Sequence, residues 1–361
     1  MEPEPLQQVG RTCVRYKGRK LSYFAGCDYF RLASHPAIEK AIVGALRKYG
    51  GNVAASRLTT GNHILYSELE AELRRFFGAP AALAVSNGYA TNLVVAQALA
   101  GDFSHAYIDA RAHVSLRDAA CFLDCPVTEF PHRDAGAAAR LLTRRKGRSI
   151  LLTDGMFSGD GAIAPLAEYL KALPRGGLIL LDDAHGAGTL GEHGGGTVEL
   201  ANVPRERIVQ TITLSKAFGS YGGAVLCGPE LRERIVARSR MFAGSTPAPL
   251  PLVAAACRAL KLLRDSSFRQ RLNANASFVK TRLRKAGFAL PENPGPIIPI
   301  APRDGAHAAA LRKALLAHGV FPSFIKYPGG PADGYYRFVI SSEHSHGQLE
   351  NLAQALESSH D

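Results

Sequence analysis

The sequence predicts an α/β fold: a large domain on a mostly parallel sheet flanked by helices, then a smaller C-terminal α+β domain. Three observations carry this. From Ala81 to Gly228, short and almost wholly apolar runs alternate with helical stretches, the pattern of strands buried on both faces and joined by crossover helices. Beyond Pro247 the rhythm changes to long amphipathic helices. The 361 residues, 46% of them apolar and 20% charged, are enough for two or three globular domains at roughly 100–200 residues each.

Each element follows from local chemistry. KLSYFAG reads as a strand, and Ser34-His35-Pro36 opens a helix to about Lys48, with Ser34 as N-cap and Pro36 in the first turn. The Gly/Asn/Ser/Thr-rich segment from Gly50 is a loop. A second helix carries Leu65, Leu69, Leu73 and Phe76 on one stripe and stops at Gly78. The apolar runs ALAVS, AYID, SILLTD, GLILLDD, IVQTITLS and GGAVLCG follow, with helices to Ala100, to Cys121 and near Leu166. After a basic helix through RQRLNANASFVKTRLRKAG come a strand at IIPIAP, a helix from about His307 to His318, the strand YRFVISS and a last helix bearing Leu349, Leu352 and Leu356. This divides the chain into an N-terminal segment (1–33), a large domain (34–250) and a helical linker with the small domain (251–361).

Lys and Arg total 43 against 31 Asp and Glu, a net charge of +12. Such a charge suits nucleic acid, an anionic membrane, a phosphorylated small molecule or simply a solvated surface. The basic clusters at Arg144 and Arg232 lack interleaved aromatics and read as solvated faces, so nucleic acid falls away. No apolar stretch approaches membrane-spanning length, and the opening MEPEPLQQVGR is unlike a signal peptide. The six cysteines are scattered, and the C-x3-C pair Cys121/Cys125 has no second pair or clustered His, which argues against zinc. They read as reduced core residues of a cytoplasmic protein.

Ligands of an open parallel sheet collect at the carboxyl ends of its strands. Four such ends stand out: Asp182-Asp183-Ala184-His185-Gly186 after GLILL, Ser215-Lys216 after ITL, Met156-Phe157-Ser158 after ILLTDG, and His113 after AYIDARA. Lys216 taken alone reads as a strand-end lysine reaching solvent. With Asp182 on a neighbouring run it reads as a Schiff-base lysine, because a buried carboxylate is what keeps a pyridinium nitrogen protonated. SNGYATN supplies a Ser-Asn-Gly turn into a helix near Tyr89, an anion site of a common kind.

Taken in order, SRLTTGN, SNGYATN, H-x-S-L-x-D-A, DGMFSGDG-x-x-x-PL, LDDAHGAGTLGEHG, TLSKAFGSYGG and RFVISSEHS resemble the α-oxoamine synthases over nearly the whole chain. These are pyridoxal-phosphate (PLP) enzymes of the fold-type I, aminotransferase-like class. The resemblance implies a homodimer with interface active sites that condenses an amino acid with an acyl thioester, carried on CoA or an acyl carrier protein, with decarboxylation to an α-amino ketone. An aminotransferase or decarboxylase on the same fold is the alternative.

The resemblance also implies roles. Lys216 is similar to the Schiff-base lysine and acid/base, Asp182 to the pyridinium partner, His185 to the donor to the ring hydroxyl, and His113 to the stacking histidine. Ser158 matches the hydroxyl beside the ring. Thr213 and the Asn87-Gly88-Tyr89 turn match the phosphate ligands, Ser245 and Thr246 the segment reaching the neighbouring subunit's phosphate, and Arg337 the arginine that holds the amino acid's carboxylate. Three positions depart from the family pattern: Cys27 replaces an Asn near the substrate carboxylate, Tyr66 a His, and Tyr335 the first arginine of a pair. Arg31 reads either as an added anion contact or as a solvated turn. The cofactor set is complete while the substrate shell differs.

Overall fold

The computed structural model describes residues 4–144, 146–326 and 330–359, and they form two units. The larger holds Pro36–Phe157 and Ile163–Ser266; the smaller holds the described residues of Met1–His35, Ser158–Ala162 and Ser267–Asp361. Arg145, part of the basic cluster at Arg144, lies outside the described residues.

The chain starts in the smaller unit with an antiparallel meander of β1 (Gln7–Val9), β2 (Cys13–Tyr16) and β3 (Arg19–Ser22). β1 and β2 escape a reading of apolar runs because they are short and mostly exposed or half-buried. Ser34 is not a helix cap: it closes a 3-10 turn over Leu32–Ser34 that ends in an extended His35.

The larger unit opens with α1 (Pro36–Tyr49) and α2 (Ile64–Phe77), joined by the expected loop. Gly78 closes α2 at φ 60°, a left-handed turn that only glycine adopts without strain. Then come β4 (Ala81–Val85), α3 (Gly88–Ala98), β5 (His105–Asp109), α4 (Val114–Ala120), β6 (Val127–Phe130), α5 (Ala135–Arg144) and β7 (Ser149–Asp154). The unit continues through α6 (Leu166–Ala172), β8 (Leu178–Asp182), α7 (Thr197–Leu200), β9 (Ile208–Thr213), β10 (Gly223–Cys227), α8 (Pro229–Arg238), α9 (Arg240–Gly244) and α10 (Leu250–Leu262). α10 packs against α1 and α2 within this unit.

Seven of these strands form one sheet in the order β4-β10-β9-β8-β7-β5-β6. β9, β8, β7, β5 and β6 run parallel, whereas β10 is antiparallel to both β4 and β9. The sheet is therefore mixed, and the fold is α/β and fold-type I aminotransferase-like. On one face α3 and α4 bury Leu93, Val94, Leu116 and Ala119 with Leu83, Ile108, Leu152, Leu180 and Val225 of the strands. That apolar floor holds the strand ends, and the loops beyond them, in fixed register.

The smaller unit resumes with α11 (Ser267–Lys285), β11 (Ile297–Ile300), α12 (Gly305–Ala317), β12 (Phe324–Ile325), β13 (Tyr335–Val339) and α13 (His346–Glu357). β13 is central in the antiparallel order β11-β13-β12. Its Phe338 packs with Phe24, Val279, Leu311 and Leu352 in this unit's own core.

All six cysteines are free, but only Cys227 and Cys257 are buried; Cys13, Cys27 and Cys125 are half-buried and Cys121 is exposed. The expectation of six core cysteines thus holds for two. No described helix is long and apolar enough to cross a membrane.

Candidate active site

The carboxyl ends of β5, β7, β8 and β9, with the start of α3, enclose a cleft of about 310 Å³ in the larger unit. Asn87, Gly88, Tyr89, His113, Asp182, His185, Thr213 and Lys216, eight of the residues singled out in the sequence, all line it. Parallel strands alone bring them together, since each strand ends on the same edge of the sheet.

Asp182 closes β8 and is 7% exposed. Its Oδ2 accepts from Asn92 Nδ2 at 2.7 Å and from Ser115 Oγ at 3.3 Å, while Oδ1 accepts from the Ala184 backbone N–H at 3.1 Å. Asn92 is itself held, because its Oδ1 accepts from Thr211 Oγ1 at 2.7 Å. The carboxylate is thus fixed in orientation before any ligand arrives.

Lys216 lies just beyond β9, with its Nζ 2.7 Å from His185 Nε2. His113 caps α4, and its Nδ1 meets Ser115 Oγ at 2.7 Å. Burial lowers its pKa below the usual imidazole range, against the pull of Asp182, so the ring is neutral at pH 7.

At the other end of the cleft Asn87 caps α3, accepting from the Ala90 N–H at 2.9 Å. A Cβ on Gly88 would fall 2.6 Å from Thr213 Cβ and Oγ1, so glycine is what lets the helix start approach β9. Thr213 Oγ1 in turn accepts from the Ser215 N–H at 3.2 Å. Tyr89 turns its hydroxyl to Asp118 and packs T-shaped with the His113 ring, with 6.1 Å between centroids. That hydrogen bond, more than burial, pushes the phenol up to about 12.

Ser158 and Arg337 belong to the smaller unit. There Arg337 Nε donates to the Ser158 carbonyl at 2.6 Å, and Nη2 lies 3.5 Å from Cys27 Sγ. Ser245 and Thr246 do not line the cleft; Ser245 follows α9 beside Arg57 and Ser86. Tyr66 is structural, its hydroxyl donating to the Ala248 carbonyl at 2.8 Å. Tyr335 is buried in β13. Arg31 is not the solvated turn of the sequence reading, for it is buried at φ 50° and donates to the Tyr23 carbonyl at 2.9 Å.

Three residues that line or brace the cleft were not singled out by the sequence, Asn92, Ser115 and Asp154, while Asp183, named there with the strand end of β8, does not line the cleft. Asp183 is fully buried and accepts from Thr197 N–H and Oγ1 and from Gln210 Nε2, at 2.8, 2.7 and 2.6 Å. Its burial outweighs these donors and raises its pKa to about 6. Asn92 carried the one available signal, an amide on an apolar helix where nothing local needs it.

Residues 31–356 match the family model for aminotransferase class I and II. The chain is 34% identical over 365 residues to the 8-amino-7-oxononanoate synthase of Trichlorobacter lovleyi, covering 97% of this chain and 92% of the relative. It is 36% identical over 349 residues to the synthase of the same name from Geobacter sulfurreducens, covering 94% and 89%. Among solved structures, a Sphingomonas wittichii serine palmitoyltransferase superposes with a TM-score of 0.93 at 28% identity, over 99% of this chain and 92% of that one. A serine palmitoyltransferase from S. paucimobilis, solved with a bound PLP-myriocin aldimine, superposes with a TM-score of 0.91 at 27% identity, over 98% and 90%.

Proposed function

Because the chain belongs to the aminotransferase class I and II family, we propose that it is a PLP-dependent C-acyltransferase that condenses an amino acid with an acyl thioester. The relatives named as 8-amino-7-oxononanoate synthases and serine palmitoyltransferases favour this over transamination or simple decarboxylation. The observation that carries it is one cleft uniting an amine, a fixed carboxylate and a helix start cradled by a threonine.

Those groups fit PLP. Lys216 Nζ is the amine that would hold the cofactor. Asp182 would keep a proton at its ring nitrogen, His185 would donate to its ring hydroxyl, and His113 would lie against the ring. The Gly88 and Tyr89 amides, with Thr213 Oγ1, would hold its phosphate. When bound, PLP supplies an electron-accepting ring that stabilises negative charge on the amino acid's α-carbon.

The chain's residues then divide the work. Lys216 moves the proton at the α-carbon, and the buried, pre-oriented Asp182 holds its charge without reorganisation. In the smaller unit Arg337 takes the amino acid's carboxylate, with Ser158 and Cys27 at its sides. Overall, a carbon–carbon bond forms between the α-carbon and the acyl carbonyl, the thiol leaves and the original carboxylate departs as carbon dioxide. Homodimerisation, with Ser245 and Thr246 serving the partner's site, and a cytoplasmic location complete the proposal; the family resemblance supports the first.

The purified protein with PLP is expected to show a visible absorption band that Lys216→Ala abolishes. A colourless wild type in the presence of PLP would overturn the reading.

A further inference from the structure

Two carboxyl groups stand at the ends of neighbouring parallel strands in the cleft. Asp154 closes β7, Asp182 closes β8, and the two are register partners. Both line the cleft and both are buried, at 4% and 7% exposed. Adjacent strands run about 4.8 Å apart, and a neighbouring carboxylate disfavours ionisation of a buried one, as Asp182 does for Asp154.

The donors decide which takes the proton. Asp182 takes three hydrogen bonds, from Asn92, Ser115 and Ala184. Asp154 takes the backbone N–H of His113 on Oδ2 at 2.8 Å. Hydrogen bonds to a carboxylate favour its ionised form, and Asp154 has the fewer of them, so the proton settles on Asp154. Burial first, and Asp182 second, push Asp154 well above the usual carboxylate range; Asp109 adds to this, while the His113 amide and Lys216 oppose it. Of the other titratable groups lining the cleft, His113 is neutral and His185 faces Lys216.

The His113 amide matters because of what the rest of that residue touches. Its Nδ1 meets Ser115 Oγ at 2.7 Å, and Ser115 Oγ donates to Asp182 at 3.3 Å. Asp154, His113, Ser115 and Asp182 thus form a chain of contacts that starts and ends on adjacent strands.

We infer that Asp154 is a positioning residue: a neutral carboxyl that anchors the His113 backbone, and through it the ring. The inference rests on the PLP reading of the cleft. Asparagine reproduces a neutral acid in shape and keeps an acceptor for the His113 amide; alanine does not.

The test binds PLP to apo wild type, Asp154→Asn and Asp154→Ala and follows the visible band as pH is varied. Asp154→Asn is expected to keep the wild-type PLP affinity within about twofold and to leave the pH midpoint of the band in place, because no charge is removed. Asp154→Ala is expected to bind PLP about 5- to 30-fold more weakly, the cost of one lost anchor. A midpoint shift of about one pH unit in Asp154→Asn would mean that Asp154 is charged. Wild-type affinity in Asp154→Ala would mean that it does not hold His113. Either result overturns the inference with the PLP reading intact; a wild type without a band removes both.

Discussion

Gly88 shows how far single residues set this cleft. A methyl group there would meet Thr213 at 2.6 Å, so Gly88→Ala must push α3 off β9 or rotate Thr213, an overpacking cost of about 1–3 kcal/mol. We expect PLP affinity to fall at least tenfold while the far-UV circular dichroism stays unchanged; unaltered affinity would remove Gly88 and Thr213 from the phosphate site. Cys27 is tested through KM. With its thiol 3.5 Å from Arg337 Nη2, Cys27→Ala should raise the amino-acid KM several-fold and leave PLP affinity untouched. The residues that speak from sequence are those whose chemistry is costly wherever they sit: a lysine and an aspartate closing buried strands, and a glycine opening a helix. Asn92, Ser115 and Asp154 stay silent because their contacts with Asp182, Thr211 and the His113 amide span 41 to 119 residues of chain, and no local pattern reports a contact that only the sheet creates.

At the scale of elements, the apolar runs gave away six of the seven strands of the main sheet. β6 was missed because it is a four-residue edge strand with a largely exposed face, so its sequence, VTEF, reads as polar. The reversed direction of β10 was equally hidden, since GAVLC buried on all sides looks the same whichever way it runs. The basic helix α8 illustrates the converse error. Arg232 and Arg234 read as a solvated face, yet Arg232 donates to Glu70 and to the Ala82 carbonyl, at 3.0 and 3.2 Å. Arg234 pairs with both oxygens of Asp102, at 2.7 and 2.9 Å. They tie α8 to α2, β4 and the turn after α3. Arg232→Ala should therefore lower thermal stability, by about 1–3 kcal/mol for the partly buried pair, without changing the salt dependence of the thioester KM. A change in that dependence would instead give Arg232 a part in binding the thioester carrier.

For the whole molecule, pH tests stability through buried groups. His344 packs 4.0 Å from the Phe24 ring centre, accepts from the Ser341 N–H at 3.0 Å and meets the Tyr23 carbonyl at 3.1 Å. Burial, with Arg31 adding to it, lowers its pKa to about 3. The folded state then binds fewer protons than the unfolded one between those pKa values, so the contribution is complete above about pH 6.5 and is lost as pH falls. Asp183, raised to about 6 by burial, works in the opposite sense and returns stability as pH falls through 6. The His344 effect is therefore read as wild type minus His344→Gln, and that difference should shrink by about 2 kcal/mol between neutrality and pH 5. A flat difference would show that His344 is not held neutral.

If the proposed acyl thioester rides on an anionic carrier, the net charge of +12 predicts a salt-sensitive KM for the thioester alone. The condensation itself is tested most directly by following both products at once. With PLP, an amino acid and an acyl-CoA, the protein should release free thiol and carbon dioxide in equal amounts, each dependent on both substrates. Turnover of the amino acid with no thiol released would contradict the account.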